Sequence, residues 1–192
     1  MRLLHHPFFE EVAKTVLRTS AVELVLVALR VKKPKPNAIP TLEPEHVDFK
    51  CGTDDYQASP VRMPCGFFIW LTDVGPDNCP LNYRPGSHLQ VLRYMDEHPD
   101  DNSHEYKQKP PVLDYTAPVP IYAKAGQVTV LSGTLVHSGS VTPGCRERRL
   151  LVVDYKAKGT DFSLFVQNEE ERRRYLEALK QQFPADKLHL LP

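Results

Sequence analysis

Apolar residues fall mostly into short runs separated by polar stretches rich in proline and glycine. Phe8, Phe9, Val12, Val16 and Leu17 recur at helical spacing, which predicts an amphipathic helix over Pro7–Arg18, with proline suited to its first turn. Glu23–Val31 is dense in valine and leucine and reads as a buried strand. The prolines of Lys32–Pro40 then force a loop. Further strands are expected near His46–Phe49 and at Gly66–Leu71 (GFFIWL), the second followed by turn chemistry in Asp73–Pro80. Tyr94–Pro120 is polar and proline-rich and reads as a long loop or lid. Gln127–Leu131 and Leu150–Tyr155 carry two of the best strand signals. The last element is a helix over about 169–183, with Asn168 as N-cap, a stripe of Tyr175, Leu176, Leu179 and Phe183, and Pro184 as its stop. Short strands, peripheral helices and no strand–helix alternation predict a mainly β sandwich or jelly-roll barrel.

Composition narrows the partners more than the fold. The chain has 192 residues, enough for one domain with a full core, and the expectation is a single domain over 1–192. Lys+Arg and Asp+Glu number 24 each, so the basic excess of a nucleic-acid or anionic-membrane binder is missing. Eighteen prolines, about twice the usual share, disfavour a helical bundle. Cys51, Cys65, Cys79 and Cys145 form no CxxC pair, which argues for reduced thiols and against a structural zinc site or a disulfide framework. The apolar run Ala21–Val31 contains Glu23 and Arg30 and is too short to span a bilayer. With no signal-peptide pattern at MRLLHHPFFEEV, the expected location is intracellular, in the cytoplasm.

The chemistry concentrates in His46-Val47-Asp48. On a strand, His46 and Asp48 point to one face, where an imidazole and a carboxylate can chelate one metal. His137, after the Gln127–Leu131 strand, would complete a two-histidine, one-carboxylate face with open positions, the arrangement of non-haem iron oxygen chemistry. Arg148, at the start of the next strand, offers a fork that can hold the far carboxylate of a keto-acid cosubstrate.

HVDF (46–49), FFIWLTDVGPDNCPLNYRPGSH (67–88), GQVTVLSGTLVHSGS (126–140) and RRLLVVDYK (148–156) together resemble the phytanoyl-CoA dioxygenase family. The resemblance covers roughly 24–156, taken as the core of the domain. It implies a double-stranded β-helix (jelly roll, cupin-like) with peripheral helices, and an Fe(II)- and 2-oxoglutarate-dependent dioxygenase acting on a small-molecule or acyl substrate. It implies that His46, Asp48 and His137 hold iron, that Arg148 clamps 2-oxoglutarate, and that Trp70 lies on the cosubstrate side. The carboxylate of Asp48 favours hydroxylation over halogenation, which on this scaffold needs a small residue there. His88 in PGSH reads as a loop residue rather than a ligand, and Lys33 and Lys35 have no spacing that places them in the pocket. His46 comes early compared with the family, which keeps open a catalytically inactive jelly-roll member with a binding or structural role. A cupin using another metal and no keto acid is a further alternative, against which Arg148 stands.

Overall fold

The computed structural model describes residues 2–33, 35–101, 108–144, 146–160 and 169–192. Nine strands and four α-helices form there: β1 (Val22–Lys32), β2 (Thr41–Leu42), β3 (Cys65–Trp70), β4 (Leu81–Tyr83), β5 (Val119–Ile121), β6 (Val128–Ser132), β7 (His137–Ser138), β8 (Ser140–Val141) and β9 (Arg148–Ala157), with α1 (Pro7–Leu17), α2 (Thr53–Gln57), α3 (Ser87–Glu97) and α4 (Glu169–Lys180). A four-stranded antiparallel sheet runs β1-β9-β3-β6. Two small sheets, β5-β4-β7 and β2-β8, carry the remaining strands. The molecule is thus sheet-rich with peripheral helices, as the short apolar runs predict.

The large sheet buries both faces, which is why its strands are nearly continuous in apolar residues. Phe67, Ile69, Val153, Tyr155 and Ala157 face outward under α1 and the C-terminal segment. Phe68, Trp70, Leu150 and Val152 face inward with Leu81 of β4, Leu131 of β6 and Leu135. A bulge between Leu24 and Leu26 shifts the register of β1, so that Val22 and Leu24 pack outward while Leu26 and Ala28 pack inward.

α1 starts where expected because Pro7 pre-sets the first turn and the His6 Nδ1 accepts the Phe8 N–H at 3.3 Å. Its buried stripe is Phe9, Ala13 and Leu17. Phe8 and Val16, counted in the expected stripe, are exposed; the face toward the sheet is set by Phe9, whose ring meets Phe67 edge-on at 5.3 Å. α4 ends at Lys180, three residues before the expected limit; its Leu179 and, from the turn that follows, Phe183 pack in the outer core. There the Tyr175 hydroxyl accepts the Val27 N–H at 2.8 Å. Asn168, the expected N-cap, lies outside the described residues. The larger departure is at Tyr94–Pro120. Its first residues close α3, Pro99–Asp101 form a 3-10 turn, Gln108 pairs with the Val47 backbone, and Val119–Ile121 form β5. The segment is therefore not one structureless loop: Val91, Leu92 and Met95 anchor α3 in buried clusters.

Glu10 ties α1 to the C-terminal turn. Its carboxylate meets Lys14 at 2.8 Å, Lys187 at 3.0 Å and His189 at 3.2 Å, and the residue is buried. The Lys14 hydrogen bond leads in holding its pKa down, from 4.5 to about 2, with Lys187 and His189 adding and burial opposing. A carboxyl with a folded pKa below its unfolded one stabilises the protein above the unfolded value, and that stability is lost as pH falls through the folded value. That contribution is lost between about pH 4.5 and pH 2. Glu10→Gln should lower neutral-pH stability and flatten the acid limb of urea-melt midpoints plotted against pH. An acid limb as steep as in the unsubstituted protein would assign it to other carboxyls.

Candidate metal centre

One backbone bridge places two of the three candidate ligands. The His46 N–H donates to the His137 carbonyl and the His137 N–H to the His46 carbonyl, each at 2.9 Å. The two rings stand 4.3 Å apart between centroids. Asp48 joins them from two residues along, with Oδ1 3.9 Å from His46 Nε2 and Oδ2 3.9 Å from His137 Nε2. All three offer ligand atoms within 4.8 Å of one another, close enough for one divalent cation to draw them together. The expected strand at His46–Phe49 reduces to bridges at His46 and Val47. The alternation survives: Val47 is fully buried in a small core with Val91, Met95 and Val136, and His46 and Asp48 turn to the other side.

His137 is oriented for ligation. It is buried, and its Nδ1–H donates to the Leu135 carbonyl at 2.9 Å, which leaves the Nε2 lone pair facing Asp48 and His46. Phe68 of β3 closes the back of the ring at 6.2 Å.

Arg148 is buried at the start of β9. One terminal N–H donates to the Cys79 carbonyl at 2.6 Å, while the buried Nε has no partner. Burial pushes its pKa down, and neighbouring Cys79 and Glu43 push it back. The buried Ser138 hydroxyl, next to His137, is also unpartnered. Such groups each cost about 1–3 kcal/mol when left unmet, so a ligand with acceptor oxygens fits here. Trp70 is fully buried, and its indole N–H donates to Thr129 at 2.9 Å. It lies on the inner face two residues from Phe68.

The sequence reading missed three groups at this site. Asp154 is buried on the inner face of β9, and its carboxyl comes so close to Gly66 that a Cβ there would lie 2.9 Å from Oδ1. Burial raises its pKa well above the ordinary carboxyl range, with nearby Asp48 adding. Glu43 and Arg84 line, with His46, Gly139 and the 109–115 segment, an open groove of about 980 Å³. Arg84 pairs with Glu45 at 2.6 Å and donates to the Thr116 carbonyl at 3.0 Å.

PGSH has a structural purpose that its loop reading hid. Gly86 adopts φ 77°, a turn that suits glycine, and α3 begins at once with the fully buried Ser87. The Ser87 hydroxyl accepts the Val136 N–H at 2.9 Å, and the Arg84 N–H donates to the Val136 carbonyl at 2.9 Å. The motif thus grips the residue immediately before His137, while His88 stays outside the triad. Ser87→Ala should cost about 1–3 kcal/mol in thermal or urea unfolding, because the Val136 N–H is left buried and unmet. Unchanged stability would mean that the backbone finds another acceptor.

The sequence profile of the family described as "Phytanoyl-CoA dioxygenase (PhyH)" matches residues 2–148. No curated protein matches the chain. Among solved structures, EvdMO1 is 26% identical with a TM-score of 0.56, covering 82% of this chain and 32% of its own. The non-heme alpha ketoglutarate dependent carbocyclase SnoK from nogalamycin biosynthesis is 23% identical with a TM-score of 0.63, covering 89% and 64%. The epimerase SnoN, solved with Fe3+, alpha ketoglutarate and nogalamycin RO, is 20% identical with a TM-score of 0.60, covering 81% and 57%. The chain therefore spans under two thirds of the length of each of these three, and the likeness to SnoK and SnoN shows a shared fold. Among the described residues no helix is long and apolar enough to cross a membrane. With the profile matching well over half of its length, the chain belongs to the phytanoyl-CoA dioxygenase family.

Proposed function

We propose that this protein is an Fe(II)- and 2-oxoglutarate-dependent oxygenase on a double-stranded β-helix, hydroxylating a C–H bond of a small-molecule or acyl substrate. The observation that carries the reading is the convergence of His46, Asp48 and His137. The unpartnered Nε of the buried Arg148 guanidinium at the head of β9 supports it. In this reading the chain is one oxygenase unit, its core at about 24–156. Three of its solved relatives are described as non-heme, with iron, or with alpha ketoglutarate, which agrees with the donor set.

Iron with the keto acid supplies the oxidising chemistry; the protein's residues bind, orient and exclude water. His46, Asp48 and His137 hold the metal by two nitrogens and one oxygen. The fork of Arg148 takes the distal carboxylate of 2-oxoglutarate, with the Ser138 hydroxyl a second donor. Phe68 stands behind the His137 ring, Trp70 would lie on the cosubstrate side, and His46 lines the open groove. There His46 shares the lining with Arg84 and Lys109–Tyr115, which would select the substrate. Because Asp48 fills the carboxylate position, hydroxylation is preferred to halide transfer.

Anaerobic titration with Fe(II) and then 2-oxoglutarate should develop a weak visible charge-transfer band. His46→Ala, Asp48→Ala and His137→Ala should each lose iron and keep the fold by circular dichroism; full iron occupancy in His137→Ala would overturn the ligand set. Arg148→Lys should retain iron and weaken 2-oxoglutarate by about 1.5–3 kcal/mol, since lysine lacks the fork. An unchanged affinity would remove Arg148 from the cosubstrate site.

A further inference from the structure

The end of β9 that carries Arg148 holds a second cation. In the β1–β9 register Lys32 lies directly opposite Arg148. Residues opposite one another on antiparallel strands share a face, and like charges there repel. Burial of the guanidinium strengthens that repulsion. Glu43 relieves it: its carboxylate pairs with Lys32 and is an electrostatic neighbour of Arg148.

The backbone is arranged to bring that carboxylate in. The Glu43 N–H donates to the Gly139 carbonyl at 2.9 Å. Gly139 has no side chain, and a Cβ there would overlap the Glu43 Oε2. The carboxylate therefore lies over the residue two positions beyond His137, on the wall of the groove that His46 also lines. Yet Glu43 leaves the Arg148 Nε and the Ser138 hydroxyl without partners. It balances the charge of the site without filling the hydrogen-bonding positions.

We infer that Lys32 is a second cation of the keto-acid site, and that Glu43 is an internal carboxylate that holds Lys32 until a dicarboxylate ligand displaces it. The inference rests on the oxygenase reading above. A bound carboxylate that meets both Lys32 and the Arg148 fork satisfies donors that Glu43 does not reach. The Lys32–Glu43 pair is partly exposed, so breaking it costs little. The exchange makes Glu43 a competitor that sets the keto-acid concentration at which the site fills.

The test is equilibrium binding of 2-oxoglutarate to the full chain loaded with Fe(II) under anaerobic conditions, by calorimetry, with iron content and circular dichroism measured on each variant. Lys32→Met should weaken 2-oxoglutarate by about tenfold, and Lys32→Arg should restore most of the affinity. Glu43→Gln should tighten binding several-fold, and its benefit should vanish in the Lys32→Met background. All variants should keep iron. Unsubstituted protein that takes up iron and no 2-oxoglutarate would overturn the oxygenase reading, and this inference with it. Normal 2-oxoglutarate binding with unchanged affinity in Lys32→Met, or weaker binding in Glu43→Gln, would overturn this inference alone.

Discussion

The reciprocal backbone hydrogen bonds between His46 and His137 are the contact on which the site depends. They join two residues far apart in sequence, so their cost in chain entropy must be met elsewhere in the fold. The supports are identifiable. On the His137 side, β7 pairs with β4, and Ser87 and Arg84 fix the Val136 backbone. On the His46 side, Val47 is paired with Gln108 and sunk among Val91, Met95 and Val136. The same small core lies under both histidines. Packing beneath the bridge thus sets the spacing of the rings above it.

The inner face of β9 separates its charges. Arg148 stands at one end, Asp154 lies near the other, and Leu150 and Val152 lie between them. Both charged groups are buried, and the buried carboxyl is accommodated because Gly66 opposite it has no side chain. Burial disfavours the ionised form of each, downward for the arginine and upward for the carboxyl. Cys51 and Cys65 show the same force acting on neutral thiols, each pushed up to about 12 mainly by burial, which keeps them unreactive cores rather than ligands. A low-dielectric interior amplifies whatever charge it admits, and on the inner face of β9 that charge is Arg148 at one end and Asp154, near Asp48, at the other.

The long strands were legible because burial on both faces produces unbroken apolar runs, as in β1, β3 and β9. The triad was legible because His46, Asp48 and His137 fall in order between those runs, and the structure brings the three together. What escaped has a common cause. α3 is polar overall, and its signal is only the spacing of Ser87, Val91, Leu92 and Met95, whose burial depends on the loops above it. The His46–Phe49 segment has strand-like alternation but few backbone partners, so it forms bridges in place of a strand. Lys32 and Glu43 were invisible because their meeting depends on strand register and on the missing side chain of Gly139. Lys33 and Lys35, the cations noticed in the sequence, are exposed.

The groove wall shows how the metal face and the substrate side are joined. Lys109–Tyr115 contains two prolines without N–H groups, so this wall has few ladder hydrogen bonds. It is held largely by side chains: the Tyr115 hydroxyl donates to the Pro111 carbonyl at 2.9 Å, and Gln90 donates to the Asp114 carbonyl at 3.1 Å. Arg84 reaches the same wall through the Thr116 carbonyl and stands 6.0 Å from the Tyr115 ring centroid. Its own backbone grips Val136, one residue before His137. A single residue therefore touches both the groove wall and the backbone that leads into His137. A wall fixed mainly by side chains can change composition without disturbing the strands behind it, whereas Arg84 cannot move without shifting the backbone beside His137.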